Sequence, residues 1–219
     1  PVFAAPRVRR WVDERMSGGT TERVLIAGNT SLAAMTEKSI AFRDEALSIE
    51  IETTGTTLQP VANLPAIKDA DLNLRVTGRT ARLTLGRGTS EVALGRRINI
   101  ADGSFAIADT HSTPAHAVTQ FRIDGSVGAA AELLAYEPLR SSASTMLDPA
   151  KTRGSVAAQV TVNLDLGRDE VQNVAYAVKA DLGNFVGEGL LLGYKIEAQA
   201  LHVQADSSHA RKFGGSGLG

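Results

Sequence analysis

The chain has 219 residues, with 23 basic and 24 acidic side chains, and the resulting net charge of −1 removes any global electrostatic case for nucleic-acid binding. Cysteine is absent, which excludes a disulfide framework, a thiolate nucleophile and a Cys-based zinc site. Hydrophobic residues supply 43% of the chain but aromatics only 5%, and 21 Gly against 7 Pro describe an aliphatic globular chain with many turns.

Residues 6–16, PRVRRWVDERM, predict a short helix. Val8, Trp11, Val12 and Arg15 have helical spacing, and Ser17-Gly18-Gly19 is a stop. Trp11 reads as an anchor plugging the end of a sheet, and Arg7, Arg9 and Arg10 as a solvated face. Residues 23–26 can start a strand, and a less regular passage follows to Phe42. Residues 46–55 alternate cleanly, with Leu47, Ile49 and Ile51 opposite Ser48, Glu50 and Glu52. Pro60 and Pro65 mark residues 58–67 as a connection.

The strongest pattern is residues 68–86, KDADLNLRVTGRTARLTLG. Ala70, Leu72, Leu74 and Val76 alternate with charged and polar residues, and Ala81, Leu83 and Leu85 resume the alternation. The interruption at Thr77-Gly78-Arg79 predicts a hairpin turn, with Gly78 able to supply positive φ. Gly86-Arg87-Gly88 also reads as a hairpin turn, since it lacks the strand–glycines–helix order and the Lys-Ser/Thr of a phosphate loop.

A short strand over 90–94 and a turn at Gly95-Arg96 follow. Residues 97–108 carry Ile98 and Ile100, then Phe105 and Ile107, with a turn or bulge at Asp102-Gly103. In 116–125, Ala117, Thr119, Phe121 and Ile123 share one face. The period then changes: residues 126–136, SVGAAAELLAY, predict a helix closed by Glu137-Pro138. A polar connection over 139–151 has room for a helical turn around 144–147.

Period two returns in the last third. Val156, Ala158, Val160, Val162, Leu164 and Leu166 share one face; after a turn at 167–169, so do Val174, Tyr176, Val178, Ala180 and Leu182. Gly183-Asn184 leads into 185–192, and 194–205 form a final strand whose phase slips near Ala200, as at a bulge. Residues 209–219 have no pattern and read as a tail or truncation. No apolar run approaches the roughly 18 residues of a membrane helix. No signal peptide is visible, and the start at Pro1 suggests a piece of a longer protein whose anchor lies elsewhere.

Chemistry is sparse. In DTHSTPAH, residues 109–116, one can write Asp109, His111 and His116 as metal ligands, or Ser112, His111 and Asp109 as a triad fragment. The His spacing fits no recognised ligand motif, and a triad needs geometry that a sequence does not carry. A polar turn is the simpler reading. His202 and His209 are weaker candidates, and Glu132 and Glu137 read as solvated helix carboxylates. The expectation is no enzyme, no metal and no cofactor.

The fold class expected is mainly β: long antiparallel strands with two or three short helices. One aliphatic face needs a cover, which is a second sheet (a β-sandwich), barrel closure or an apolar ligand.

The order of parts resembles the AsmA-like superfamily of Gram-negative envelope proteins, in particular its YhdP- and TamB-type members. The resemblance rests on the short helix with Trp11 and a Gly-Gly stop, then Leu64-Pro65 with DADLNLRVTGRTARLTL, then RRINIADGSFAIAD. FRIDGSVGAAAELLAYEPLR and RGSVAAQVTVNLDLG follow, with Gly125 ending a strand, a helix running to Pro138-Leu139, and Gly154 starting the return. The match covers roughly residues 6–207 by motif order, and departs at 209–219 where another strand is expected.

What the resemblance implies is a curled, taco-like sheet forming an open groove within a bridge-like lipid-transfer protein. That protein would lie in the periplasm, anchored to the inner membrane outside this segment, and carry phospholipids toward the outer membrane. It also implies a division into an N-terminal helix (1–19), a groove segment (20–206) with a helical insert near 127–150, and a tail (207–219). The implied partners are phospholipid acyl chains and flanking repeats of the same chain. Joined to the alternation, it assigns a passive apolar wall to Leu72, Leu74, Val76, Leu83, Leu85, Phe121, Ile123, Val156, Val160, Val162, Leu164, Val178 and Leu182.

Overall fold

The computed structural model describes residues 12–29, 43–61, 63–137, 139–142, 147–167, 171–191 and 194–206. The expectations for Trp11, the three N-terminal Arg residues, the passage before Phe42, the turn at 168–169 and the C-terminal tail lie outside them.

Alternation in the sequence becomes a single ten-stranded antiparallel sheet, open at both ends. In chain order the strands are β1 (Met16–Ser17), β2 (Thr20–Gly28), β3 (Leu47–Leu58), β4 (Ile67–Thr77), β5 (Ala81–Glu91), β6 (Arg97–Ile107), β7 (Ala115–Ser126), β8 (Thr152–Leu166), β9 (Val171–Leu191) and β10 (Tyr194–Asp206). Each pairs with its sequence neighbour from β3 to β10, while β1 and β2 lie end to end along β3. No second sheet closes over the first among the described residues, so the sandwich alternative gives way to an open sheet.

Two helices interrupt the strands. α1 (Val127–Leu134) follows β7, its N-terminus capped by Ser126, whose Oγ accepts the Ala129 N–H at 3.1 Å. α2 (Leu139–Ser142) comes next. The helical turn expected around 144–147 falls largely outside the described residues. At the N-terminus, residues 12–15 are helical and give way at once to β1.

Three breaks expected to be turns or strand boundaries fall inside strands. Gly86-Arg87-Gly88 lies within β5, which runs unbroken from Ala81 to Glu91; it takes in only the first two residues of the strand expected at 90–94, and Ala93–Gly95 form a 3-10 turn instead. Gly183-Asn184 lies within the 21-residue β9, and Asp102-Gly103 within β6. The reason is a matched slip of phase in adjacent strands. Inward residues run Leu72, Ala70, then Ile67 on β4; Leu85, then Gly88 and Ser90 on β5; and Ile98, Ile100, then Gly103 and Phe105 on β6. Register holds across these slips, with Leu72 opposite Leu85 and Ile67 opposite Ser90. A residue outside ordinary strand geometry marks the line on three strands: Gly55 (φ 63°), Asp69 (φ 52°) and Asp102 (φ 52°). Asp tolerates the left-handed region better than most side chains.

The slips form a crease running across β3 to β6. It ends at β7, which keeps its phase, so that β6 and β7 shift register between Ala101 and Ser104 and the Asp102 break is a bulge. The bend is concave toward the aliphatic face, because one core cluster spans both flanks. Met16, Leu58, Ile67 and Ile100 on one side pack with Leu72, Leu74, Leu83, Leu85 and Phe105 on the other. A second crease crosses Gly154, Asn184 (φ 49°) and the slip between Ala198 and Leu201. β9 and β10 slip together there, so the phase change near Ala200 costs no register.

The organising hairpin of β4 and β5 closes as expected, but Gly78 does not adopt positive φ. Thr77 and Thr80 hold the turn instead. The Thr77 N–H donates to the Thr80 carbonyl at 2.9 Å, and the Thr80 N–H to Thr77 Oγ1 at 2.9 Å.

Candidate functional site: an apolar concave face

Inter-strand pairing converts thirteen scattered aliphatic residues into one surface. In an antiparallel sheet, directly opposed residues point to the same face. Ile26, Ile49, Val76, Ala81, Ile107, Ala117, Leu164 and Val174 are opposed in succession and form one row across eight strands. At strand spacing that row is about 34 Å long. The next row is Val24, Ile51, Leu74, Leu83, Phe105, Thr119, Val162 and Tyr176, in which Thr119 and the Tyr176 hydroxyl are the polar interruptions. Shorter rows join Leu72 to Leu85, Phe121 to Val160 and Val178, Ile123 to Ala158, and Val156 to Leu182. All thirteen residues expected to line a wall therefore share one face.

Burial along this face is uneven. Leu72, Leu83, Leu85 and Val156 are buried; Leu74, Val76, Phe121, Ile123, Val160, Val162, Leu164, Val178 and Leu182 are half-buried. Toward the two edges the face opens further: Val24 and Ile26 are 52% and 57% exposed on β2, Val174 is 54% exposed on β9 and Val203 is 42% exposed on β10. Large aliphatics left exposed in line with buried ones mark a surface that expects a partner.

α1 covers part of this face. Its Val127 packs with Val156, Ala158 and Phe185, and its Ala129 with Val92 and Ile98. Glu132 corrects an expectation: it is 6% exposed, not solvated, and its Oε1 pairs with Arg96 of the β5–β6 turn. Glu137 is exposed, as expected.

The outer face is mainly polar, although Leu25 and Val118 are exposed on it. Glu50, Arg75 and Arg82 are opposed in succession, as are Glu52, Asn73, Thr84, Ser104 and Gln120. Exposed polar contacts dot this side, among them the ion pairs Arg87–Asp71 at 2.8 Å and Arg122–Asp102 at 2.9 Å and the His116–Asp165 hydrogen bond at 2.6 Å. Such pairs add little stability. They keep one side of the sheet wet.

The segment open in sequence to a triad or metal reading is a tied turn. Asp109 Oδ1 accepts the His111 N–H at 2.9 Å, Oδ2 pairs with Arg79 at 2.5 Å, and Ser112 Oγ donates to the Asp109 carbonyl at 2.8 Å. The Ser112 hydroxyl is therefore turned to the backbone, and His116 belongs to the β7–β8 pair through Asp165. His202 likewise pairs across strands with Asp181. His209 lies outside the described residues. Among the described residues no group of three His, Asp or Glu side chains could hold a metal ion, and no helix is long and apolar enough to cross a membrane.

These contacts hold three carboxyls below their ordinary value of 3.8: Asp44 through the Thr77 hydroxyl, Asp109 through the His111 N–H and then Arg79, and Asp165 through Asn173 and then His116. A carboxyl depressed on folding stabilises the fold above its unfolded pKa, and that stability is lost as pH falls through the folded pKa. Thermal stability followed between about pH 2 and 7 should therefore fall below about pH 4. Asp165→Asn should flatten this acid limb; an unaltered slope would count against the role given to that carboxylate.

Sequence reasoning passed over Val24, Ile26, Ile49, Ile51, Ile98, Ile100, Phe105, Ile107 and Tyr176 as wall residues, although their alternation was visible. Comparison with protein-family models, curated proteins and solved structures finds no match to this chain.

Proposed function

We propose that this chain is a non-enzymatic segment of a periplasmic bridge-like protein that carries phospholipids between inner and outer membranes along an apolar β-groove. The observation that carries the reading is the broad, largely apolar face of an open, creased sheet. Each methylene withdrawn from water onto such a face gains about 0.8 kcal/mol. Rows built from Val, Ile, Leu and Ala offer continuous contact without a fixed stop, which suits a sliding acyl chain. The polar outer face and the exposed edge residues are consistent with headgroups in water and a path continuing past both edges. The resemblance to AsmA-like proteins supplies the periplasmic setting, the inner-membrane anchor elsewhere in the longer chain, and the flanking repeats.

Native mass spectrometry of the detergent-free protein, with lipid extraction of the same sample, tests the proposal. Co-purifying phospholipid of mixed headgroup is the expected result. A clean apo mass from a stable monomer would reject the groove and favour a structural module that organises envelope partners through its sheet edges.

A further inference from the structure

α1 stands on the apolar face yet is weakly fastened to it. Apart from Val127, its fully buried residues are Gly128, Ala129, Ala131 and Glu132, which contribute little apolar area, and only half-buried Ala130 and Leu133 add to the contact. Glu132 is the exception to an otherwise small and apolar contact. One of its oxygens is held by Arg96, and the other is buried with no hydrogen-bond partner. The pair is partly buried, with Arg96 35% and Glu132 7% exposed, so it adds little beyond its desolvation cost while formed, but breaking it leaves a charge unpaired and loosens the helix. Beside it, a hollow of about 200 Å³ is lined by Ala93, Glu132, Ala135, Tyr136 and Pro149, leaving room at the C-terminal end of the helix. The N-terminal end is the fixed one, continuous with β7, capped by Ser126 and anchored by the buried Val127.

We infer that α1 is a displaceable lid on the groove, hinged at Ser126 and latched by the Arg96–Glu132 pair. Seated, it covers the inward residues Ile98, Ile123 and Val156, the same apolar area that an acyl chain would occupy. Lifted, it exposes them to the ligand. This inference rests on the lipid-groove reading for its purpose, though the latch itself does not depend on lipid. An eight-residue helix has little stability away from the sheet, so lifting is expected to cost its helicity as well.

The absence of Cys makes the lid directly measurable. Ala129 is 0% exposed on the sheet-facing side of α1, and Ala70 is 0% exposed within the sheet. Maleimide labelling of an A129C variant reports lid opening, and labelling of A70C reports opening of the whole fold. Without lipid, Glu132→Gln should speed labelling of A129C about tenfold and leave A70C unchanged. Equal A129C rates with and without the Glu132→Gln substitution would overturn the latch. Vesicles of phosphatidylethanolamine and phosphatidylglycerol should then speed labelling of A129C in the parent background. Lipid bound by native mass spectrometry with no change in labelling would overturn the lid. No lipid on any variant would instead overturn the groove reading, with the latch still judged by the lipid-free comparison. Amide exchange in the unsubstituted chain guards against a misfolded variant: residues 127–134 should exchange faster than β7 and β8, and protection equal to theirs would also overturn the lid.

Discussion

Val162→Glu should strip phospholipid from the protein while leaving its fold intact. Val162 is half-buried on β8, between Thr119 and Tyr176 in the second apolar row. Because the site is not sealed by protein, the new carboxylate can reach water in the empty groove, and stability should change by no more than about 1 kcal/mol. In the loaded groove the same carboxylate would face hydrocarbon, where an unpaired charge is expensive. Occupancy should fall at least about tenfold, corresponding to a loss of roughly 1.4 kcal/mol or more. Asn163→Glu provides the control. Its side chain points to the outer face, opposite Val118 and Ala175, so lipid should be retained. Native mass spectrometry of the two variants, beside their urea unfolding curves, separates the cases. Lipid retained by Val162→Glu would remove this row from the path.

Much of the sheet was legible because a half-buried strand must alternate, and Leu72, Leu74 and Val76 or Val156 to Leu164 do so without exception. What alternation does not carry is the meaning of its interruptions. Gly86-Arg87-Gly88, Asp102-Gly103 and Gly183-Asn184 have the same local signature as the true turn at Thr77-Gly78-Arg79. The difference lies in the neighbours. A strand continues through a break when the adjacent strand slips at the same height, as β4 and β5 do between Leu72–Leu85 and Ile67–Ser90. That is a non-local property. Glu132 was hidden for a related reason, since its burial depends on Arg96, 36 residues earlier in the chain. The thirteen expected residues fall on one face because alternation assigns a face within each strand and antiparallel pairing carries it to the next. The Asp102 bulge moves the inward set of β6 from even to odd positions, from Ile98 and Ile100 to Phe105 and Ile107.

The crease makes the largest stability prediction, and it falls on Gly154. Two independent costs meet there. Its φ of 119° lies where a side chain is strained, and an added Cβ would stand 2.6 Å from the Gly183 carbonyl oxygen and 2.8 Å from that of Asn184. Both neighbours are backbone of the paired strand β9, at the point where β8 and β9 shift register, so neither can yield without opening the ladder. Gly154→Ala should therefore destabilise the protein by about 3–5 kcal/mol, combining backbone strain with overpacking. Gly55→Ala isolates the first cost. Gly55 has φ 63° but nothing within 4 Å of a new Cβ, so the loss should be about 1–2 kcal/mol. Gly88→Ala isolates the second. Its φ is ordinary, but the Cβ would stand 2.5 Å from Ile67 Cγ2, a methyl on a β-branched side chain that must change χ1 to yield, and the loss should be about 1–3 kcal/mol. Urea unfolding should thus rank Gly154→Ala below the other two. A Gly154→Ala protein as stable as Gly55→Ala would mean that β8 and β9 do not approach this closely, and the second crease would have no backbone basis.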